Sequence, residues 1–566
     1  MPDTSQSILD KISEAQTVSG LPPTEPMVPY RNIGELLELQ ADRYEDKPFL
    51  IYYSDDAQRK EFSYRDFYEE TCKAANLLLS YGIGSGDRIA TVSFNHYDAV
   101  VQYYAAFIIG AVVVPINVGE DDRHILYILE NAGCKLVFVR DQFLERIEGL
   151  AKQLPHLKFV VQVGKRMNSR TPHYQSELAK FPSSIKLAQA PNLQDEALIV
   201  YTSGTTGLPK GVVLVQHNLL ADAMAIAEWH RLSEDQRIMC VLPIHHVNGV
   251  VVTLMTPLYC GGGVVLNQKF HAEKFFERIS IEMVNVVSVV PTILQFLLHA
   301  NVNISSYKLG HLRHIICGAG PLTVELALRF EHEFMIPVIH GYGLSETTCY
   351  SSFLPIDLQR GEHKMWLSKH GFPSIGVPLP VNDMAIHDEN GNELDEGQRG
   401  EIVIRGHNVM KHYFRNDEAN EKTFAHGWFR SGDEGFFLYD EQGRKFFFIT
   451  GRLKELIIRG GVNISPFEID EVLMTIPGIQ MGIAVGFEND WYGEEVGALV
   501  KLRDGILMHE EEVLIHCRKH LPFAKSPKVV VFGNDIPVTS TGKYQRNKCK
   551  EMFASWKSMQ FSERRT

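Results

Sequence analysis

The run Tyr201-Thr-Ser-Gly-Thr-Thr-Gly-Leu-Pro-Lys-Gly-Val212 carries the densest chemistry in this sequence. Hydroxyls at Thr202, Ser203, Thr205 and Thr206 crowd beside Gly204, Gly207, Gly211 and the ammonium of Lys210. The loop follows an apolar strand-like run, Ala197-Leu-Ile-Val200. Its glycines let the backbone turn sharply and bring N–H groups against a ligand. Many donors with some positive charge suit the oxygens of a polyphosphate. The spacing is not that of a Walker A loop, which needs G-x-x-x-x-G-K-[ST]. Taken alone, the run also fits a polar loop after a strand.

Four further patterns bear chemistry. In His340-Gly-Tyr-Gly-Leu-Ser-Glu-Thr-Thr348, Tyr342 stands between Gly341 and Gly343 and can stack on a planar base. Ser345 can hydrogen-bond a phosphoryl oxygen or a carboxylate, and the hard oxygens of Glu346 suit Mg²⁺. Gly427-Trp-Phe-Arg-Ser-Gly-Asp433 sets one acid after a tight turn, and a single carboxylate can accept from both ribose hydroxyls. Between Gly451 and Glu468, Arg452 can reach a nucleotide, while Gly460 and Gly461 leave room for a thin ligand. Lys543 lies in Pro537-Val-Thr-Ser-Thr-Gly-Lys-Tyr-Gln-Arg546, on a loop from which a long cation reaches a neighbouring cleft. Singly, these patterns also fit a solvated turn, an Asx turn, a linker with a hairpin, and a surface lysine.

The elements that must position these residues read as α/β. At 566 residues the chain needs two or more domains. Ile33–Leu39 and Phe67–Tyr81 have helical spacing, and Phe49–Tyr53, Leu136–Val139, Phe159–Val163 and Val284–Val290 are strand-like. Continuous apolar strands alternating with helices imply largely parallel, layered sheets. After about Val377 the texture becomes antiparallel or barrel-like, with a hairpin over Ala385–Leu394 around Asn390-Gly391 and strands at Glu401–Arg405 and Lys445–Ile449. A small α+β unit follows a boundary near 450–454, with helices over Asp470–Thr475 and Glu511–His520. The expected organisation is a loose arm over 1–30, a large domain over 31–450 and a small one over 451–566.

Composition narrows the function classes. A net charge of −13 gives a nucleic-acid partner no electrostatic support. The eight cysteines are scattered without a C-x-x-C pair, against a zinc ribbon or disulfide scaffold and in keeping with a reducing, cytoplasmic setting. Ala99 to Asn117 approaches the length of a membrane span, but Gln102, Gly110 and Pro115 make it a buried helix, a turn and a strand. The polar N-terminal stretch has no signal-peptide core.

Together and in this order, the five patterns resemble the adenylate-forming superfamily: acyl-CoA synthetases, adenylation domains of peptide synthetases, and beetle luciferases. The resemblance runs from about Ile33 to Arg546. It implies a phosphate loop at Thr202–Lys210 and an adenine pocket including Gly318, Ala319, Gly320, Tyr342 and Gly343. Glu346, with Thr202, would hold Mg²⁺, and Ser345 stands where the family usually has threonine. Asp433 and Arg452 would hold the ribose. Lys454 would be the hinge of a mobile small domain, whose Gly460-Gly461 face alternates with Lys543. The implied catalytic set is Thr202, Lys210, His246, Glu346 and Lys543, His246 being a gate within Leu242-Pro-Ile-His-His-Val-Asn-Gly249.

The resemblance further implies ATP, Mg²⁺ and CoA, with a carboxylic acid made into an acyl adenylate and then a thioester. No aspartate marks an amino-acid substrate in the pocket motif, which favours a fatty, aryl or other non-amino acid, in fatty-acid metabolism or a related route. Val250–Leu254 and Cys349–Phe353 would line an apolar pocket. No long insertion separates Asp433 from Gly451, favouring CoA over a carrier-protein thiol as acceptor. A catalytically inactive nucleotide-binding protein is the alternative of another class. Two departures stand out: Lys411-His-Tyr413 in place of a commoner Gly-Tyr pattern, and a long stretch over Glu362–His370 that bears on substrate access.

Overall fold

The structure is a computed structural model that describes residues 4–165, 170–202, 208–300, 302–538 and 544–561. Three sheets organise it. The largest has thirteen strands. Its parallel half runs through Val338–Tyr342, His314–Cys317, Val286–Val289, Arg237–Cys240, Gly263–Asn267 and Pro48–Tyr53. These strands are almost wholly buried, as apolar runs covered on both faces must be. The antiparallel texture expected after Val377 continues the same sheet through Ser374–Pro378, Asn382–His387, Gly400–Gly406, Phe429–Tyr439 and Lys445–Arg452.

A seven-stranded sheet carries the loop that opened the sequence reading. Strand Glu196–Thr202 turns back into Lys210–Val215, with Thr202 and Lys210 directly opposite. His412–Tyr413 adds to the outer edge of Lys210–Val215. The smallest sheet lies after residue 456 and contains Ile479–Asn489 and Gly493–Leu502, flanked by helices Pro466–Met474 and Glu510–His520. The architecture is therefore mixed α/β, with a large N-terminal and a small C-terminal domain.

Local chemistry explains the boundaries. Helix Tyr64–Ser80 begins three residues earlier than its periodicity indicates, because Ser63 and Asp66 form a reciprocal capping box. Helix Tyr97–Ile109 ends on Gly110 in the left-handed conformation, and Val112–Ile116 follows as a buried strand. Among the described residues, no helix is long and apolar enough to cross a membrane. All eight cysteines are free thiols.

Two expectations need correction. The N-terminal arm contains a helix, Thr4–Ala15, whose Ile12 and Ala15 are buried while Glu14 pairs with Arg405. Its apolar stripe is short and was masked by the polar, proline-bearing composition around it. The Asn390-Gly391 turn exists, with Asp388 accepting from the backbone of Asn390 and Asn392. The partner of Asn382–His387, however, is Gly400–Gly406, and the intervening segment touches it only by a bridge between His387 and Glu393.

The Glu362–His370 stretch is largely the helix Arg360–Ser368. Trp366 stacks on Phe446 at 3.9 Å and His363 bonds Glu331, which places this stretch against the large sheet.

Candidate active site

Antiparallel register creates the centre of the site. Strands Phe429–Tyr439 and Lys445–Arg452 form a hairpin that sets Asp433 directly opposite Arg452. Their charged groups approach to 3.2 Å, with Asp433 almost fully buried. From the parallel half of the sheet, the Tyr342 hydroxyl donates to Asp433 Oδ2 at 2.7 Å. Asp433 Oδ1 is buried and lacks a properly aligned hydrogen bond. A carboxylate oxygen left in that state costs free energy unless a ligand or water donates to it. This acceptor, with Arg452 beside it, fits the hydroxyls of a ribose.

A second cluster surrounds Glu346. The Tyr413 hydroxyl donates to Glu346 Oε1 at 2.8 Å, and the Met410 N–H donates to its backbone carbonyl at 2.8 Å. Lys210 Nζ lies 4.7 Å from the centre of the Tyr413 ring. Burial lowers the Lys210 pKa, the positive charge of Lys454 lowers it further, and Glu346 opposes both. Two ammonium groups held near one carboxylate make a site that gains from a bound polyanion. Among the described residues, no group of three or more His, Cys, Asp or Glu side chains is arranged for a metal. Mg²⁺ ordinarily takes one or two protein carboxylates and completes its shell with phosphate oxygens and water, so Glu346 suffices to fit it.

Asn408 ties the segment after Glu346 to strand Asn382–His387. Its side-chain amide donates to the carbonyl of Tyr350 and to Asn382 Oδ1, both at 3.0 Å, and its backbone carbonyl accepts from Thr348 Oγ1 at 2.6 Å. Neither Asn408 nor Tyr413 was recognised in the sequence as a site residue. The signal lay in Lys411-His-Tyr413, where the substitution drew notice and the tyrosine did not.

The glycines have steric causes. A Cβ on Gly343 would lie 2.0 Å from the Cys349 carbonyl oxygen, and one on Gly341 2.3 Å from Phe353. Ala319 itself has a φ of +62°, in the loop Gly318-Ala319-Gly320 that follows strand His314–Cys317. Ser345 opens the single turn Ser345–Thr347.

The pocket motif places His245 and His246 rings 4.3 Å apart. His245 is partly buried with its Nε2 inside, and that desolvation pulls its pKa down. After them, Asn248–Met255 winds as a π-helix, a form concentrated at functional sites.

Some expected site residues do not join this group. Ser203, Gly204, Thr205, Thr206, Gly207 and Lys543 lie outside the described residues. Tyr544, which follows Lys543, pairs with Val538 and is partly buried beside Gln295 of helix Pro291–His299. Gly460 and Gly461 form a left-handed turn in the small domain, where a Cβ on Gly460 would meet Tyr492 and one on Gly461 open space. Lys454, by contrast, lies close enough to act on Lys210.

Comparison with known proteins places this geometry in a family. The AMP-binding enzyme model matches residues 37–414, and the model of the AMP-binding enzyme C-terminal domain matches 468–543. The chain is 34% identical to a probable CoA ligase, CCL9, of Humulus lupulus, over 85% of this chain and 89% of that one. It is 32% identical to a sulfoacetate–CoA ligase of Cupriavidus necator, over 93% and 98%. The ATP-bound crystal structure of MatB from Rhodopseudomonas palustris superposes with a TM-score of 0.81 at 28% identity, covering 92% of this chain and 99% of that one. The chain belongs to the AMP-binding enzyme family, in the acid–CoA ligase branch of the adenylate-forming superfamily.

Proposed function

We propose that this enzyme activates a carboxylic acid with ATP through the Asp433 and Glu346 clusters and passes the acyl group to CoA. The observation that carries the reading is the meeting of Tyr342 with the Asp433–Arg452 pair of the hairpin, where the buried Asp433 Oδ1 faces Arg452 but accepts no aligned hydrogen bond. Asp433 would take the ribose hydroxyls, Tyr342 would flank the base, and Gly318–Gly320 would pass close beneath it. Thr202 and Lys210, opposite one another at the mouth of their hairpin, would hold the β- and γ-phosphates with the intervening loop.

A carboxylate oxygen attacks the α-phosphorus, the bond to the β-phosphate oxygen breaks, and pyrophosphate leaves. Glu346, with the hydroxyl of Thr202, would hold Mg²⁺, which would supply charge neutralisation for the phosphate oxygens. Lys210 and Lys543 offset the charge of two approaching anions. The CoA sulfur then attacks the acyl carbon, its proton passes to solvent, and AMP departs with the oxygen that joined it to the acid. One lysine cannot serve the first step and leave room for the thiol in the second. Rotation of the small domain about Lys454, exchanging Lys543 for the Gly460-Gly461 turn, resolves that conflict. His246 would gate the acyl pocket.

Exchange of labelled pyrophosphate into ATP tests the reading when run with Mg²⁺ and a panel of acids. Acid-dependent exchange is expected, and none with any acid overturns it. CoA and a phosphopantetheinylated carrier protein, supplied side by side, decide the acceptor: CoA is expected to release AMP faster, and carrier-only turnover reassigns it.

A further inference from the structure

Behind the loop Gly318–Gly320 lies a buried group of polar atoms that the chemistry above does not use. The Tyr350 hydroxyl stands directly against Gly318, where a Cβ would fall 2.6 Å from it. Tyr350 is fully buried and its ring is fixed 4.3 Å from Phe353. The Asn248 amide donates toward the Tyr350 hydroxyl at a long 3.4 Å, while Asn248 Oδ1 is buried without a partner. Ser288, buried within strand Val286–Val289, engages the same hydroxyl, but its Oγ makes no well-aligned hydrogen bond.

Three elements thus converge on one point: the start of the π-helix, the end of a parallel strand, and the segment after the Glu346 turn. Gly249 locks the first of these, since a Cβ there would lie 2.6 Å from the Ile244 Cα. Asn248 is therefore held where it stands. Buried polar atoms normally find partners, so the orphan Asn248 Oδ1 beside a poorly aligned Ser288–Tyr350 contact marks the place of a polar group that arrives with a ligand.

We propose that the acid activated here is short and carries a neutral hydroxyl group, which Asn248, Ser288 and Tyr350 bind. The proposal rests on the adenylation reading and narrows its substrate. The groups acting on the Tyr350 hydroxyl include the neutral side chains of Ser288 and Asn248 and the thiols of Cys317 and Cys349. A second carboxylate would lose its hydration among these neutral groups, whereas a hydroxyl can donate to Asn248 Oδ1 and accept from Ser288 or Tyr350. Length is limited because Tyr350 is wedged between Gly318 and Phe353 and forms a fixed wall. Sites built to bond a substrate hydroxyl discriminate strongly against the analogue lacking it, since their own buried groups are then left unpaired.

The test is pyrophosphate exchange with matched acids: lactate against propionate, 3-hydroxybutyrate against butyrate, and succinate as the dianionic arm. The hydroxy acids are expected to exceed their partners in kcat/KM by about 100-fold, with succinate no better than butyrate. Ser288→Ala and Asn248→Leu are each expected to cut that ratio to about 10 or below, read as a ratio so that partial loss of folded protein cancels. Equal use of hydroxylated and plain acids overturns the proposal and leaves adenylation standing, because only an ordered water would then fill the place. A preference that both variants leave intact also overturns it. No exchange with any acid overturns the adenylation reading and the proposal together.

Discussion

Both carboxylate oxygens of Glu471 lie against the backbone N–H of Val324, at 3.0 and 3.2 Å, so the small domain caps a helix of the large one. Glu471 sits on helix Pro466–Met474, and Val324 is the first residue of Val324–Phe334. Burial pushes the Glu471 carboxyl up to about 8, the Val324 N–H opposes this, and Asp470 and Glu325 add to it. The docked form therefore holds a proton that an undocked Glu471 loses above its ordinary value of 4.5. The contact is fully favoured below that value and weakens as pH rises toward about 8. Energy transfer between labels on the two domains is expected to show more separation at the alkaline end, and Glu471→Gln to flatten the profile. An unchanged profile in Glu471→Gln would remove this residue from domain docking.

Asp433→Asn keeps the shape of the ribose site and removes its charge. A hydrogen bond to a charged group contributes about 1.5–3 kcal/mol, so the KM for ATP is expected to rise about 10- to 100-fold. The KM for the acid serves as the internal control and is expected to change far less. Equal increases in both would place Asp433 away from the nucleotide.

Tyr413→Phe removes the donor that orients Glu346. Partners that orient a metal ligand alter affinity by at least about 10-fold. The Mg²⁺ concentration for half-maximal exchange is expected to rise by that factor while maximal activity recovers at high Mg²⁺. An unaltered Mg²⁺ titration would contradict the role given to Glu346.

Asp222 offers a test of stability. It is completely buried in helix Gln216–Trp229, accepts one N–H from Tyr350 at 3.3 Å, and has Oδ1 unpaired. Burial raises its pKa well above 3.8, and the Tyr350 N–H only partly opposes this. The unfolded chain releases this proton at lower pH than the folded one, so the residue costs stability progressively as pH rises above about 3.8. Asp222→Asn is expected to raise the melting temperature by about 2 °C near neutral pH, and by less near pH 4. A lowered melting temperature at both pH values would show that the carboxyl is retained for packing.

Much of the site was legible because its residues sit in short, chemically dense loops. Tyr342, Glu346, Asp433 and Arg452 all stood out by type and by flanking glycines. Their pairing did not. Asp433 meets Arg452 only through the register of a hairpin whose second strand runs to Arg452, past the Ile449 at which the apolar run ends. Tyr413 was passed over because its role needs an edge pairing with Val212, far away in sequence. Reading Val250–Leu254 and Cys349–Phe353 as an apolar lining gave no sign of the polar group around the Tyr350 hydroxyl, since Tyr350 counts as hydrophobic and Ser288 lies in another strand. The helix Thr4–Ala15 was missed because its buried face is completed only by the sheet it covers.

The most direct measurement of the central claim follows oxygen from the acid. With the carboxylate labelled by ¹⁸O, attack on the α-phosphorus leaves one acid oxygen on the phosphoryl group of the AMP released by CoA. Mass spectrometry of the products is expected to find one ¹⁸O in AMP and none in pyrophosphate. Label in inorganic phosphate, accompanied by ADP, would place attack at the γ-phosphorus and contradict the account.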